Sequence, residues 1–156
     1  MTATRRRRVD EVMTRDPIVL REHDSVRVGG LTLLRHRISA APVVDHTDQL
    51  VGLFSQSDVL ARFAAPRDRR GPIARFDERH ARAETVGEAC SRPVAVISPD
   101  AAVDTAAREL LDRDIGRLIV VLDGKVLGVV SRSDVLKLFL PDDDRLRPQL
   151  SYMEPD

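Results

Sequence analysis

The chain has no tryptophan, one tyrosine, four phenylalanines and a single cysteine in 156 residues. So few aromatic rings argue against single-stranded nucleic acid as the main ligand, because such sites stack bases on side-chain rings. The lone thiol, Cys90, cannot form an internal disulfide and suits a reducing compartment, so the cytoplasm is the expected location. No apolar run approaches the ~18 residues that a membrane span requires. The basic cluster Arg5–Arg8 is not followed by the apolar stretch of a signal peptide. Net charge is absent too: 25 basic residues face 25 acidic ones, which gives no overall bias towards nucleic acid or a membrane surface. Only Lys125 and Lys137 among the basic residues are lysines.

Catalytic signatures are also missing. There is no Gly-x-x-x-x-Gly-Lys loop and no Gly-x-Gly-x-x-Gly fingerprint. His23, His36, His46 and His80 are dispersed without paired ligand spacing, and Cys90 has no assignable base. His46 and Asp48 share a turn, which reads as a solvated loop rather than a metal site. No enzymatic activity, no metal and no obligatory cofactor are expected.

What the chain does have is the same statement made twice. Val51-Gly-Leu-Phe-Ser-Gln-Ser-Asp-Val-Leu60 recurs as Leu127-Gly-Val-Val-Ser-Arg-Ser-Asp-Val-Leu136, an offset of 76 residues. Pro17 and Pro93 stand at the same offset, whereas Ile38 and Ile115 differ by 77. A unit this long occurring only twice points to a pseudo-symmetric pair rather than an open array. Each repeat of about 50 residues would bury only some 60 % of its unfolded surface alone, so mutual packing is expected.

The element order repeats as well. Residues 1–10 read as a flexible basic arm, whose four arginines can attract phosphate but more commonly stay solvated. The first repeat spans 11–63. Ile18–Leu20 is a predicted strand, and Asp24-Ser25 can cap a helix built on Val26, Leu33 and Leu34. Gly29-Gly30 inside that helix costs about 1 kcal/mol per glycine against alanine, which close helix packing would explain. Pro42–Val44 and Leu50–Phe54 are predicted strands around a polar turn, and a helix from Ser57 to Phe63 closes the unit.

Residues 64–85 form a charged linker, with a short helix over 73–84 that is too polar for a core. The second repeat, 86–140, offers Val94–Ile97 as a strand, Asp100 as a helix cap and Val103–Leu111 as a helix. Leu118–Leu122 and Val126–Val130 make a hairpin about Asp123-Gly124, followed by a helix from Ser133 to Leu140. An acidic tail occupies 141–156.

This order, with Ala41-Pro42-Val43-Val44-Asp45 leading into Gly52-x-x-Ser55-x-x-Asp58, resembles the cystathionine β-synthase (CBS) domain. Arg117–Val121 leading into Gly128-x-x-Ser131-x-x-Asp134 resembles its partner, and two such domains form a Bateman module. The resemblance implies an α/β (α+β) fold of tandem CBS domains, two β-α-β-β-α repeats packed through their sheets. It further implies clefts that bind AMP, ADP, ATP or S-adenosylmethionine, a disc-like homodimer, and regulation of an effector protein that the sequence does not identify. The rival reading is a structural or interaction module without a ligand.

By the same resemblance Asp58 and Asp134 stand where a carboxylate accepts from ribose hydroxyls. Each charge-assisted bond of that kind is worth roughly 1.5–3 kcal/mol. The residues themselves also admit a local role, Ser55 and Ser131 capping helices whose first turns hold the aspartates. Ser55 and Ser131 are otherwise candidates for phosphate or ribose. Arg117 and Arg132 are candidates for phosphate, through the planar donor fork of arginine. The resemblance pairs Ser55 and Asp58 with Val94, Ile115, Gly116 and Arg117 in one cleft. The other cleft would join Ser131 and Asp134 to Ile18, Ile38, Ser39, Ala40 and Pro42. Gln56 against Arg132, and Ala40 against Arg117, predict unequal clefts.

Overall fold

The computed structural model describes residues 7–64 and 80–140. The first half contains α1 (Val9–Val12), β1 (Thr14–Arg15), β2 (Leu20–Arg21), α2 (Val26–His36), β3 (Ala40–Val44), β4 (Leu50–Ser55) and α3 (Gln56–Phe63). The second contains α4 (Val86–Ala89), β5 (Val96–Ile97), α5 (Val103–Asp112), β6 (Arg117–Leu122), β7 (Lys125–Ser131) and α6 (Arg132–Phe139). The repeated order of strand, helix, hairpin and helix is as the sequence predicts. Each hairpin is antiparallel, and each receives a short parallel strand, β2 on β3 and β5 on β6.

Local chemistry accounts for most boundaries. Ser25 caps α2 by accepting from the Val28 N–H. The β6–β7 hairpin turns on Asp123 and Gly124, with φ of 52° and 80°. Both values lie in the left-handed region that a two-residue type I′ turn requires. The predicted strands at 18–20 and 94–97 shrink to two paired residues each, at Leu20–Arg21 and Val96–Ile97. Asp100 is not a cap. The N-cap of α5 is Ala102, without a side-chain bond, and Asp100 instead accepts from the Ser98 hydroxyl, which holds its carboxyl below the usual range.

The two cores exchange their leading segments. Val9 and Met13, early in the chain, are buried with Leu118, Val120 and Val130 of the second repeat. Ala83, Val86, Ala89 and Cys90, which lead into the second repeat, are buried with Leu20, Val43 and Phe54 of the first. The backbone connections match. Val9 N–H donates to Ala101 O at 2.8 Å and Val103 N–H to Arg7 O at 2.9 Å. Their counterparts are Val86 N–H to Asp24 O at 2.8 Å and Val26 N–H to Glu84 O at 3.1 Å. β1 pairs with β7, Thr14 opposite Val129, while Ser91 and Leu53 exchange both backbone bonds.

This crossing explains the glycine of each Gly-x-x-Ser motif. A Cβ on Gly52 would strike Cys90 Sγ and come within 3.1 Å of Ser91 O. One on Gly128 would lie 2.6 Å from Met13 Sδ and 2.7 Å from Thr14 O. Only a residue without Cβ lets the exchanged segment approach each hairpin.

Two sequence expectations are therefore corrected. Arg7–Asp10 are fixed to the fold rather than belonging to a free arm, because Val9 is a core residue. The end of the expected linker is not too polar for a core, since His80 and Ala83 are buried; the residues at 65–79, and the tail at 141–156, lie outside the described residues. The packing of α2 is as tight as its glycines suggest, with Gly29 against Val86 and Phe54. Leu34, however, points outward at 70 % exposed, not into the core. It joins Leu31, Leu60 and Phe63 along an apolar groove of about 610 Å³ between α2 and α3. Leu111, Leu136 and Phe139 are exposed at the equivalent faces of α5 and α6.

Candidate functional site

The two Ser-x-x-Asp motifs sit at strand-to-helix junctions, β4 into α3 and β7 into α6. Each forms a capping box. Ser55 N–H and its hydroxyl donate to Asp58 Oδ2 at 2.8 and 3.1 Å, and Asp58 N–H donates back to Ser55 Oγ. Ser131 N–H and its hydroxyl donate to Asp134 Oδ2 at 2.8 and 3.0 Å, and Asp134 N–H returns a bond to Ser131 Oγ. The local role expected of these residues is therefore realised, and it consumes one oxygen of each carboxylate.

The other oxygens differ. Asp58 Oδ1 accepts from Nε2 of His80 at 2.9 Å, in a pair whose side chains are 3 % and 0 % exposed. Asp134 is half-buried, and no described residue donates to its Oδ1. His80 was not singled out by its sequence context, a histidine in a polar stretch. Its only signal was the nearby Ala81 and Ala83, too small to announce a core segment.

Among the described residues, two clefts are lined by both repeats. The first, of about 470 Å³, brings Ser55 together with Val94, Ile115, Gly116 and Arg117, as the resemblance implies. Asp58 is not on its wall, because the carboxylate is turned into the core. Ser39, Gln56, Ser57 and Ser91 also line this cleft, beyond the residues that the resemblance implies. No atom lies within 4 Å of a Cβ built on Gly116, so that position opens onto free space.

The second cleft, of about 430 Å³, collects Ile18, Ile38, Ser39, Ala40 and Pro42 with Val129 and Arg117. Both clefts fall in the ~300–1,000 Å³ range of small-molecule sites. Ser131 and Asp134 do not line the second cleft. Ser131 follows Val129 at i+2 on β7, hence on the same face of that strand, just beyond the cleft wall. Ile18, Ile38, Val94 and Ile115 are each half-buried on a cleft wall, and Ile38 and Ile115 also pack against the cores of their own repeats.

Arg117 lines both clefts. Its Nη2 donates to Ser39 Oγ at 2.6 Å, a bond that joins the two repeats. Arg132 is placed otherwise than expected. Its Nε donates to Ile115 O at 2.8 Å and its Nη2 to Leu110 O at 3.1 Å, with Asp114 Oδ1 at 3.4 Å. The guanidinium caps the carbonyl end of α5 and lines neither cleft. Gln56 makes the equivalent bond, donating from Nε2 to Ile38 O. The Gln56–Arg132 difference therefore does not make the clefts unequal in the way predicted, and neither does Ala40 against Arg117, since both of those residues line both clefts; the difference lies in the aspartates, of which Asp58 is bonded to His80. The His46–Asp48 turn is held by its own bonds. Asp48 pairs with Arg21, and Thr47 donates to Asp45, which keeps the Asp45 carboxyl below its usual range.

Residues 9–65 and 86–141 match the family model of the CBS domain. The CBS domain of a CBS domain-containing membrane protein from Sphaerobacter thermophilus is 30 % identical with a TM-score of 0.66, covering 88 % of this chain and 91 % of that one. The CBS domain pair of MJ0100, solved with 5′-methylthioadenosine and S-adenosyl-L-methionine, is 25 % identical with a TM-score of 0.67, covering 85 % and 99 %. Among longer relatives, the A-adding tRNA nucleotidyltransferase of Aquifex aeolicus is 34 % identical over 140 residues. MJ1225 of Methanocaldococcus jannaschii is 27 % identical over 134. The matches take 89 % and 86 % of this chain but only 15 % and 43 % of those two proteins.

Proposed function

The chain belongs to the CBS domain family, and from that premise we propose that it is a regulatory module that senses an adenosine-type compound between its repeats and passes the signal to a partner protein. AMP, ADP, ATP and S-adenosylmethionine are the candidate ligands. The observation that carries this reading is the position of Arg117, a cation on the wall of both clefts and held by a single serine hydroxyl. Phosphate or carboxylate oxygens offer the guanidinium a bidentate, charge-assisted partner that one neutral hydroxyl does not. The MJ0100 pair, solved with two adenosine compounds, supports adenosine as the common element.

In this reading adenine lies against the apolar walls, Ile18, Ile38 and Pro42 or Val94 and Ile115. Asp134, at the start of α6 beyond the wall of the second cleft, offers its remaining oxygen to the ribose hydroxyls of a ligand that extends past that wall, and Ser55 and Ser131 mark helix starts whose backbone N–H groups favour anions. A ligand taking Arg117 from Ser39 replaces a direct tie between the repeats with a tie through itself. It shifts the arrangement of the halves by its difference in affinity for the two states. We assign no chemical step to the chain.

The exposed leucines and phenylalanines of α2, α3, α5 and α6 support assembly as a homodimer through these helix faces. The same faces favour a second reading, an interaction module that works without a ligand. Thermal unfolding separates the two. A native-state ligand at 100 times its Kd stabilises by about 2.7 kcal/mol. A rise in Tm with AMP, ATP or S-adenosylmethionine supports sensing, and an unchanged Tm with all of them sinks it.

A further inference from the structure

Asp58 and Asp134 hold equivalent places in the two repeats, yet of the two only Asp134 has a carboxylate oxygen to which no described residue donates. Asp58 is 2 % exposed, with Oδ2 bonded to Ser55 and Oδ1 to His80 Nε2 at 2.9 Å. The imidazole is itself fully buried. Among the described residues no histidine bonds Asp134, whose partner is Ser131.

A vicinal diol needs a carboxylate oxygen that faces it and is free to accept. Asp58 could provide one only by expelling the imidazole, which would strand a buried polar group without its partner. We infer that His80 closes the first ribose position, so that each chain takes one adenosine-type ligand, through Asp134. This deepens the proposed function and rests on it. His80 thereby sets occupancy, and it fastens the residues entering the second repeat onto the first.

Titration calorimetry with AMP tests this on the full chain. Wild type is expected to bind one AMP per chain. Asp58→Asn, whose amide can still accept from Ser55 and donate to the imidazole, is expected to keep that stoichiometry and stay within about twofold in affinity. Asp134→Asn is expected to bind at least about tenfold more weakly, the loss of a charge-assisted bond. His80→Gln retains a donor for Asp58 and keeps one site; His80→Ala gains a second. Two AMP per wild-type chain, or equal losses in the two asparagine variants, would overturn the inference. If His80→Ala does not fold, the asparagine pair decides it. If wild type binds neither AMP nor S-adenosylmethionine, the adenosine reading falls. His80 is then judged by NMR: a slowly exchanging Nε2–H that vanishes in Asp58→Asn supports closure, and its absence in wild type refutes it.

Discussion

Arg117 donates from Nη2 to the Ser39 hydroxyl at 2.6 Å, linking the start of β6 in one repeat to the approach to β3 in the other. Residues 78 apart in sequence thus share one bond at the wall between the clefts. The first prediction follows from its chemistry. Arg117→Ala is expected to weaken AMP binding by about 10- to 100-fold, equivalent to a charge-assisted bond of roughly 1.5–3 kcal/mol. Binding of adenosine, which lacks phosphate, is expected to change little. Calorimetry with both compounds checks it, and equal losses for both would remove Arg117 from the phosphate role.

The second prediction concerns the glycines of the repeated motif. Gly52→Ala and Gly128→Ala each drive a Cβ into an exchanged segment and are expected to cost about 1–3 kcal/mol. In a domain of this size that lowers Tm by about 2–4 °C per kcal/mol. Gly116→Ala, which meets open space, is expected to leave Tm within the scatter of wild type. Thermal unfolding of all three variants is the measurement.

A third prediction tests assembly. Leu34 and Phe63 are 70 % and 62 % exposed on the α2–α3 groove. Leu34→Glu with Phe63→Glu is expected to convert a dimer into a monomer without loss of the fold, because neither side chain contributes to the core. Light scattering coupled to size exclusion reads the mass, and circular dichroism reads the fold. A double variant that stays dimeric would move the interface elsewhere.

The fourth is a pH effect. The Thr47 hydroxyl donates to Asp45, whose carboxyl titrates below its ordinary value of 3.8. A depressed folded value means stability that is fully present above the unfolded value and lost as pH falls through the folded one. Thr47→Val is expected to raise the Asp45 titration towards 3.8 by NMR, and to narrow the difference in stability between neutral pH and pH values below about 4. An unmoved Asp45 titration in the variant would refute this.

Much of the architecture was legible because it rests on local rules written twice. The Ser55 and Ser131 capping boxes, the Asp123-Gly124 turn and the helical spacing of Val26 and Leu33 are decided within a few residues. The pairing of Ser55 with Ile115 and Arg117 was legible only through family likeness. What escaped depends on long reach. Arg132 sits beside a ribose motif but turns back to the carbonyls of Leu110 and Ile115, 22 and 17 residues away. His80 is buried against Asp58, 22 residues earlier, where it partners the second carboxylate oxygen. Val9 and Met13 lie in segments too short to show a period, so nothing in their vicinity announces that they serve the far repeat.

That exchange of leading segments bears on how the molecule can be divided. A cut between the repeats gives a front piece carrying Val9 and Met13 with no core to enter, and missing Ala83 and Val86 from its own. The rear piece has the complementary defect. Neither is an autonomous building block, but each holds what the other lacks, so the two are suited to reconstitution as a split protein when expressed together. The repeat that is one unit in the gene is two halves of different units in space.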